Sequence, residues 1–227
     1  MEEKWNSRTE LQIGKQGIEK LEKAKVIIYG IGGVGSYTTE ALARAGIGNL
    51  ILVDNDKITP SNINRQIHAT TKTVGKNKVD VMKKRIEEIN PNANVQIYMN
   101  EENEENLINL ECSYVVDAVD TIKTKLKLIE KANEIDIPII SAMGAGNKLD
   151  ATKFEVSDIY KTSECPLAKV MRKELKKRNI EKLKVVYSKE KGISNENNVI
   201  GSISFVPSVM GLIIAGEVIK DIINNKI

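Results

Sequence analysis

The first half of the chain alternates short apolar runs with longer amphipathic segments. Residues 25–30 and 50–53 are aliphatic or β-branched runs without a polar break, which is typical of strands covered on both faces in a parallel sheet. Between them, residues 34–45 are small and apolar and end at Gly46, a common helix stop. The pattern therefore predicts a strand–helix–strand unit at the start of an α/β domain.

The same alternation continues to about residue 146. We predict further helices at residues 76–90 and 121–134 and further strands at residues 95–99, 114–116 and 137–141. Strands that alternate with helices indicate a Rossmann-like, doubly wound and mostly parallel α/β sheet with right-handed crossovers.

The pattern is less regular after Gly146. We predict strands at residues 153–157, 184–187 and 202–206, helices at 166–178 and 207–224, and a mobile polar loop at 192–198. No repeat or low-complexity linker divides the chain. We therefore expect residues 1–227 to form one domain, with a core at about 8–146, a small C-terminal α/β subregion at about 147–206 and a final helix at 207–224.

The composition is that of an ordinary soluble globular protein, with 41% hydrophobic and 29% charged residues among 227. Cys112 and Cys165 are far apart and belong to no CxxC pair, which excludes a disulfide scaffold and a four-cysteine zinc site. No signal peptide and no apolar stretch near bilayer length is visible, so we expect a cytoplasmic protein without a transmembrane segment. The broad apolar face of the last helix favours packing on the sheet or on another subunit over peripheral association with a membrane.

A glycine-rich turn joins the first predicted strand to the first predicted helix. Residues 30–35 fit the pattern G-x-G-x-x-G, which permits a tight turn and presents helix N-terminal amides to a phosphate. Asp54 ends the next strand, where a carboxylate can accept hydrogen bonds from ribose hydroxyls. Together these features predict a nucleotide site rather than a turn without a ligand.

The polar segments that follow Asp54 favour a triphosphate over a dinucleotide. These segments contain Arg65, in SNINRQ, and Lys78, in GKNK. We expect both side chains to lie at the nucleotide. The pyrophosphate of NAD can be held mostly by backbone amides, whereas ATP usually needs fixed cations and a metal ion. Taken alone, Arg65 is equally compatible with a surface salt bridge.

Two aspartates follow the strand predicted at residues 114–116. Asp117 and Asp120 lie at the same edge of the predicted sheet as the glycine turn, where a carboxylate could hold Mg²⁺ between phosphate oxygens. Asp120 also precedes a predicted helix, so helix capping is the alternative interpretation.

Five motifs together resemble the ubiquitin-activating-enzyme-like adenylating superfamily, which includes activators of sulfur-carrier proteins. They are GIGGVGS at 30–36, LVDND at 52–56, SNINRQ at 61–66, GKNKV at 75–79 and DAVD at 117–120. Within the superfamily, RTEL at 8–11, NINRQIHA at 62–69, SAMGAG at 141–146 and CPLA at 165–168 resemble bacterial tRNA threonylcarbamoyladenosine dehydratases. The resemblance implies adenylation of the threonylcarbamoyl carboxylate on a tRNA adenosine, followed by ring closure with loss of water.

The resemblance also implies roles for individual residues. The ATP contacts it implies are Gly32, Gly33, Gly35, Asp54, Asn62, Arg65, Lys78 and Asp120. The catalytic residues it implies are Arg65, Lys78, Asp120 and Arg8, the last acting at the ATP site of the neighbouring subunit of a homodimer. Asp120 would hold Mg²⁺, and a monovalent cation is a further expected cofactor. His68, the single histidine, is interpreted as a packing or hydrogen-bonding residue rather than a catalytic one.

The charge distribution bears on the choice between tRNA and a carrier protein. Residues 165–191 contain ten Lys or Arg and three acidic residues, although the whole chain carries only +3. A basic segment of this kind predicts contacts with tRNA phosphates, with a solvated helix face as the alternative. The expected tRNA contacts are Lys169, Arg172, Lys173, Lys176 and Lys177. Activators of sulfur carriers commonly hold zinc through CxxC pairs, which this chain lacks.

Other functions stay open at this point. The chain could activate the C-terminal glycine of a ubiquitin-like or sulfur-carrier protein, or could be a regulatory nucleotide-binding module without turnover. Cys165 could be a thioester nucleophile, an acceptor from a sulfur-relay protein or a buried structural thiol.

Overall fold

A computed structural model of the chain describes residues 4–99, 107–108, 111–193 and 199–224. Within these ranges the helices are α1 (Ser7–Lys23), α2 (Gly35–Ala45), α3 (Lys78–Ile89), α4 (Ile122–Glu134), α5 (Pro166–Lys177) and α6 (Phe205–Ile223). The strands are β1 (Lys25–Tyr29), β2 (Asn49–Val53), β3 (Asn94–Tyr98), β4 (Tyr114–Asp117), β5 (Ile139–Ala142), β6 (Phe154–Asp158) and β7 (Lys184–Ser188).

All seven of these strands form one sheet in the order β3-β2-β1-β4-β5-β7-β6. Every neighbouring pair is parallel except β6 and β7, which pair antiparallel at the edge. The chain moves outward from β1 in one direction through β2 and β3 and in the other through β4 and β5. The expected doubly wound, mostly parallel sheet is therefore confirmed, and its strand order reverses between β1 and β4, where such sheets bind ligands.

Helices cover both faces of the sheet. Ile28 and Leu52 point into the core formed with α1, α2, α3 and α6, whereas Ile27 and Ile51 point to the opposite face, towards α4. All four side chains are at most 1% exposed, which explains why these strands lack alternation between apolar and polar residues.

The C-terminal subregion continues the same sheet. Strands β6 and β7 extend it beyond β5, and α5 packs against α4 through a shared apolar cluster that includes Leu126 and Met171. An ion pair of 3.0 Å between Arg178 and Glu130 joins the two helices at the surface. The basic helix α5 is thereby fixed beside α4 on one face of the sheet.

The last helix is held to the sheet by polar as well as apolar contacts. Asp221 of α6, 6% exposed, accepts a hydrogen bond of 2.8 Å from the Tyr114 hydroxyl and pairs with Lys184 at 2.7 Å. The apolar side chains of α6, such as Met210 and Ile214, belong to the main core. None of the helices in the described ranges has the length and apolar character that crossing a bilayer requires.

The structure overturns one predicted element, adds one helix that was not predicted and leaves most of one predicted loop untested. Helix α1 was not predicted; it is kinked at Gly14, where φ is 71°, and only a few of its side chains, including Ile18 and Leu21, are buried. The strand predicted at 202–206 is wrong, since Phe205 and Val206 already belong to α6. Of the loop predicted at 192–198, residues 194–198 lie outside the described residues. The other predicted elements are confirmed, with bounds that differ by a few residues.

Candidate active site

The glycine turn, residues 30–35, lies at the point where the strand order reverses. A Cβ added to Gly30, whose φ is +84°, would be 2.6 Å from the Ala118 carbonyl oxygen just after β4. A Cβ added to Gly35 would be 1.8 Å from the Gly30 carbonyl oxygen. Both positions therefore require glycine for the turn to close against β4, and the turn marks the crevice between β1 and β4.

The middle of the turn is built to receive an anion. A Cβ added to Gly32 would find its nearest neighbour, Gln66 Nε2, only at 3.9 Å, so space is open above this residue. No side chain caps the N-terminus of α2. The Ser36 amide donates to the Gly32 carbonyl oxygen at 3.0 Å, and the other amides of the first turn remain available, with the positive end of the helix dipole, for a phosphate group. The residues present fit the nucleotide predicted from the sequence.

Asp54 is fixed between the glycine turn and the loop after β2. Its side chain is 7% exposed. One carboxylate oxygen accepts a hydrogen bond of 2.7 Å from the Ile31 amide, and the other accepts one of 2.9 Å from the Asp56 amide. These contacts place the carboxylate at the end of β2, beside the turn, which is the position expected for a ribose-binding acid.

Lys78 is directed to the same edge of the sheet. It is the first residue of α3, and its side chain is 7% exposed. The Nζ atom lies 2.6 Å from an Asp56 carboxylate oxygen and 3.5 Å from the nearest Asp54 oxygens. Backbone pairing between Lys57 and Asn77 ties the two segments together. A fixed ammonium group therefore stands next to the predicted ribose-binding acid.

Arg65 lies against the glycine turn. A Cβ added to Gly33 would be 3.3 Å from Arg65 Cγ, so the arginine side chain runs directly past this glycine. Its Nη1 donates to the Ser61 carbonyl oxygen at 2.8 Å and to Asn64 Oδ1 at 2.9 Å. Within the described ranges it forms no ion pair, so the surface salt bridge weighed as an alternative is not observed there.

Asn62 supports the loop that carries Arg65. It ends a short 3-10 helix, Pro60–Asn62, and its Oδ1 accepts a hydrogen bond of 3.0 Å from the Thr59 amide in a capping box. The side-chain oxygen is thus engaged, and the NH₂ group is the part of Asn62 that can donate to a phosphate. Its role in ATP binding stays a prediction.

The two aspartates after β4 occupy different environments. Asp117 is fully buried and lies 3.0 Å from Lys125 Nζ, so it is a structural partner of that lysine. Asp120 is exposed and accepts a hydrogen bond of 3.3 Å from the Thr121 hydroxyl. The N-cap of α4 is Thr121, so Asp120 is not the capping residue. Of the two carboxylates, Asp120 is the one that solvent or a metal ion can reach.

A complete protein-based metal site is not present in the described part of the chain. No group of three or more His, Cys, Asp or Glu side chains clusters there in a way that could hold a metal ion. Mg²⁺ commonly keeps several waters and binds through one or two carboxylates and substrate phosphates. Asp120 as a single carboxylate therefore fits a magnesium ion bound mainly by nucleotide phosphates, and not a site built by the protein alone.

Within one chain, Arg8 lies away from the other predicted site residues. It is exposed near the start of α1. Trp5, three residues earlier, packs near Gly46 at the C-terminal end of α2, whereas the glycine turn is at the other end of that helix. The expected action of Arg8 in a neighbouring subunit stays a prediction.

His68 is buried without a hydrogen-bond partner. Its side chain is 3% exposed, and neither ring nitrogen is hydrogen-bonded to the described residues. Burial, and then the positive charges of Lys78 and Arg85, lower its pKa to about 4. The imidazole is therefore neutral near pH 7. Of the two roles expected for His68, packing agrees with this environment, whereas hydrogen bonding to the described residues is not observed.

We expect His68 to destabilise the protein as the pH falls from 6.5 towards 4. In this window the unfolded chain binds a proton at His68 whereas the folded chain does not, so the free energy of unfolding decreases by up to about 3 kcal/mol in total. Above pH 6.5 the effect is absent, and below pH 4 it levels off. Urea unfolding between pH 7 and 4 gives the free energy of unfolding of the wild type and of His68→Leu. The contribution of His68 is the decrease seen in the wild type and absent from the variant. Because the chain has one histidine, NMR titration gives the pKa directly, and a midpoint near 6.5 would contradict the expectation.

Helix α5 presents part of the predicted basic surface. Lys169, Lys173 and Lys176 are exposed, at the spacing of one helix face, and form no ion pair with the described residues. Lys177 is paired with Glu174 at 2.7 Å, and the Arg172 guanidinium donates to Thr162. Three of the five predicted cations are thus fully available to a polyanion, and two are partly engaged within the protein.

The start of α5 lies at the edge of the sheet that carries the glycine turn. Cys165 is its N-cap, and the Sγ atom is 3.6 Å from the position of a Cβ on Gly144, just after β5. Cys165 is 3% exposed and Cys112 is 4% exposed. Burial raises the pKa of the Cys112 thiol to about 11. Among the roles left open for Cys165, burial favours the structural thiol.

Sequence reasoning did not find three residues that the structure places at or beside the site. Asp56 pairs with Lys78, Gln66 lies over Gly32, and Lys125 neutralises Asp117. Gln66 follows Arg65 directly, and this position was the one signal that could have identified it. A lysine in an amphipathic helix such as α4 gives no sign that it is buried.

Comparisons with known proteins extend over most of the chain. The family model described as the ThiF family matches residues 7–226. The tRNA threonylcarbamoyladenosine dehydratase of Bacillus subtilis (strain 168) is 43% identical over 240 residues, which cover 96% of this chain and 94% of that protein. The crystal structure of E. coli tRNA N6-threonylcarbamoyladenosine dehydratase, TcdA, in complex with ATP has a TM-score of 0.90 at 32% identity, covering 97% of this chain and 94% of that chain. A sulfur carrier protein adenylyltransferase of Thermus thermophilus is 34% identical over 131 residues, 57% of this chain and 48% of that protein.

Proposed function

Since this chain belongs to the ThiF family, we propose that it is an ATP-dependent tRNA threonylcarbamoyladenosine dehydratase. The observation that carries the proposal is the near full-length similarity to dehydratases of this name, including one whose structure holds ATP. The gathering of Asp54, Lys78 and Arg65 around an open glycine turn supports it independently. The similarity to the carrier-protein activator covers a smaller share of the chain.

The chemistry follows from the poor reactivity of a carboxylate. The threonylcarbamoyl carboxylate attacks the α-phosphorus of ATP, a new P–O bond forms, and pyrophosphate leaves with the electrons of the broken P–O bond. A nucleophilic atom of the same threonylcarbamoyl group then bonds to the activated acyl carbon and loses its proton to solvent, while the bond between that carbon and the phosphate oxygen breaks and AMP leaves. The attacking carboxylate is already ionised near pH 7, so the first step needs no general base. The protein has to align the reactants and stabilise the charge that grows on the phosphates.

We assign the roles at the phosphates accordingly. The turn at Gly32 and Gly33 and the N-terminus of α2 receive phosphate oxygens, and Asp54 binds the ribose. Arg65 and Lys78 stabilise the developing negative charge. Mg²⁺, when bound at Asp120, would neutralise phosphate charge, and Asn62 and Gly35 complete the proposed contacts to the nucleotide.

We further propose that the active protein is a homodimer in which Arg8 acts at the partner's nucleotide site. Its exposure, and its placement away from the glycine turn of its own chain, support this assignment. Exposed apolar side chains support a subunit interface: Leu149 is 55% and Ile200 76% exposed, on segments joined by hydrogen bonds between Asn147 and Gly201.

The proposed tRNA surface comprises α5 and the neighbouring face of α4. On α5 it includes Lys169, Lys173 and Lys176, with Arg172 and Lys177 at its margin. Lys123 of α4 is exposed on the same face of the sheet and follows Asp120 closely in the chain. The lysines therefore begin near the nucleotide edge and continue outward along the helices, as a long polyanion with one reacting nucleotide requires.

Replacing Lys169, Lys173 and Lys176 together by Glu should weaken tRNA binding about tenfold or more at 150 mM salt. The association constant should also depend less on salt: the negative slope of its logarithm against the logarithm of the salt concentration should decrease in magnitude by up to about 3. Filter binding over a salt series measures both quantities. ATP binding should stay unchanged. The single variant Lys173→Glu has a matched control with the same charge change in Lys84→Glu, an exposed lysine of α3 on the opposite face of the sheet. If both variants weaken tRNA binding equally, the α4–α5 surface is not the docking site.

Mass analysis of tRNA nucleosides tests the function itself. Incubation of the protein with ATP, Mg²⁺ and tRNA that carries threonylcarbamoyladenosine should convert this nucleoside to a product lighter by one water, with formation of AMP and pyrophosphate. Pyrophosphate exchange stimulated by a glycine-tailed carrier protein, and not by tRNA, would favour the carrier-activating alternative. Absence of exchange with either substrate would favour a nucleotide-binding module without turnover.

Four narrower expectations stay predictions. They are a bound monovalent cation, a sulfur-relay protein partner, a cytoplasmic location and peripheral association with a membrane. The burial of Cys165 argues against the direct access that a sulfur-relay partner would need.

A further inference from the structure

Three lysines in the described part of the chain are buried, and one of them has no acidic partner there. Lys78 and Lys125 form ion pairs with aspartates. Lys148 is 6% exposed, yet its Nζ atom forms no ion pair with the described residues, which offer it one neutral acceptor, the Glu190 carbonyl oxygen at 2.5 Å. Buried charges in proteins are normally paired, and an ammonium group has three donors, so Lys148 has the capacity to bind an anion.

The carboxylate of Glu190 itself is engaged elsewhere. Its two oxygens accept hydrogen bonds of 2.8 and 2.9 Å from the backbone amides of Leu149 and Asp150. Glu190 therefore fixes the loop that carries Lys148, while its carbonyl oxygen orients the ammonium group. The hydrogen bond from Lys148 is only partly buried and Leu149 is 55% exposed, so the end of the lysine side chain lies close to the surface.

Lys148 lies at the edge of the sheet that carries the glycine turn. It follows β5, and Glu190 follows β7; both strands run parallel to the strand order that begins at β1, so their C-terminal ends meet at this edge. Neighbouring strands are about 4.8 Å apart, which places Lys148 about 10 Å to one side of the turn. A Cβ on Gly144, in the same loop, would be 3.6 Å from the Sγ atom of Cys165 at the start of α5. Lys148 therefore lies between the turn and the basic helix.

A short segment joins the loop of Lys148 to the nucleotide side of this edge. Asn147 donates through its amide to the Gly201 carbonyl oxygen at 2.8 Å and accepts from the Gly201 amide at 2.6 Å. Asn64, in the loop after β2, donates to the Ser202 carbonyl oxygen at 2.9 Å. Two consecutive contacts thus connect Lys148 with the loop of the proposed ATP site, and the lysine stands beside that site rather than in it.

From this placement we infer that Lys148 binds a backbone phosphate of the tRNA next to the reacting nucleotide. The inference rests on the proposed function, which supplies tRNA as the substrate. The reacting carboxylate has to reach the α-phosphorus at the glycine turn, about 10 Å away by strand spacing, so a phosphate suits Lys148 better than the carboxylate does. A partly desolvated ammonium group attracts a phosphate more strongly than an exposed lysine. Lys148 joins the nucleotide site to the α4–α5 surface and fixes the path of the tRNA backbone between them.

Lys148→Met should weaken binding of a short RNA hairpin that carries the modified nucleotide about tenfold or more, the size expected for a hydrogen bond between charged groups. Lys148→Arg keeps the charge and should recover most of the affinity. Lys182→Met is the matched control, because Lys182 is an exposed lysine just before β7, at the opposite edge of the sheet, and its loss should leave RNA binding unchanged. Filter binding at constant salt measures these affinities, and the affinity for ATP should be the same in all three variants.

A scan with neutral methylphosphonate linkages identifies the group that Lys148 contacts. Each phosphate that flanks the modified nucleotide is replaced in turn, and binding to the wild type and to Lys148→Met is compared. At one position the neutral linkage should weaken binding to the wild type about tenfold and leave binding to the variant unchanged, because the contact is already absent there. Losses that add independently at every position would overturn the inference.

The free modified nucleoside separates phosphate from carboxylate, since it keeps the carboxylate and has no phosphate. Wild type and Lys148→Met should adenylate it equally well. A loss in the variant as large as the loss seen with RNA would assign Lys148 to the carboxylate and contradict the phosphate contact. Equal RNA binding by wild type and Lys148→Met would overturn this inference alone, whereas a wild type that does not convert the modified RNA with ATP would overturn the proposed function as well.

A purely structural role of Lys148 predicts a different result. Lys148→Met would then lower the midpoint of urea unfolding and leave the RNA affinity of the folded protein unchanged. Lys148→Gln serves if the methionine variant does not fold, because glutamine keeps a donor for the Glu190 carbonyl oxygen and removes the charge. It should show the same loss of RNA affinity with unchanged affinity for ATP, and full RNA affinity in this variant would contradict the contact.

Discussion

Replacing Arg65 by Ala should lower the rate of ATP–pyrophosphate exchange about 1,000-fold while leaving the fold intact. An arginine at a transferring phosphoryl group stabilises charge that grows in the transition state, and its removal has effects of this size in phosphoryl-transfer enzymes. The structural effect should be small, within about 1 kcal/mol of unfolding free energy, because among the described residues the guanidinium bonds only to Ser61 and Asn64 of its own loop. Exchange stimulated by the modified tRNA measures the first quantity and urea unfolding the second.

Two further variants separate charge from geometry in this prediction. Arg65→Lys keeps the positive charge but loses the planar set of donors, so it should recover only part of the lost rate. Arg44→Ala removes an arginine at the opposite end of α2 and should leave exchange unchanged. Exchange at the wild-type rate in Arg65→Ala would exclude Arg65 from the mechanism and would leave Lys78 as the cation to test next.

The sheet was predictable because its strands are buried on both faces. Residues such as Ile27 and Ile28 point to opposite cores, so the chain cannot alternate polar with apolar positions there, and the unbroken run is visible in the sequence. The glycine turn was equally visible, because close approach to Ala118 requires Gly30 and closure of the turn requires Gly35. Local constraints of this kind leave a direct mark on the sequence.

Features that depend on distant contacts were not predictable in the same way. Helix α1 is amphipathic, but it contains Gly14 and Gly17 and buries only a narrow face, so the sequence pattern did not identify it as a helix. The alternation at residues 202–206 resembles a strand, but Val206 packs into the main core as part of α6. Gln66 and Lys125 are polar residues whose burial depends on the neighbours that the fold supplies, and their own sequence segments contain no information about those neighbours.

Replacing Lys125 by Met should destabilise the protein by about 3–5 kcal/mol, because it leaves the Asp117 carboxylate buried without a counter-charge. Both side chains are completely buried, and Lys125 Nζ lies 3.0 Å from Asp117 and 2.7 Å from the Ala142 carbonyl oxygen. A loss of this size is a large part of the 5–15 kcal/mol that stabilises an ordinary domain. Chemical unfolding measures it, with Lys123→Met on the exposed face of α4 as the control, which should change the free energy by less than about 0.5 kcal/mol.

The double variant Asp117→Asn with Lys125→Met tests whether the unpaired charge is the cause. Asparagine keeps an oxygen that can accept from the Ser141 hydroxyl, which lies 2.5 Å from Asp117, but it carries no charge. The double variant should therefore recover about half or more of the stability lost in Lys125→Met. If the two changes were simply additive, loss of packing at Lys125 and not the buried charge would explain the effect. Because Asp117 ends the strand beside the glycine turn, a pair that holds this strand end in place also holds one wall of the proposed nucleotide site.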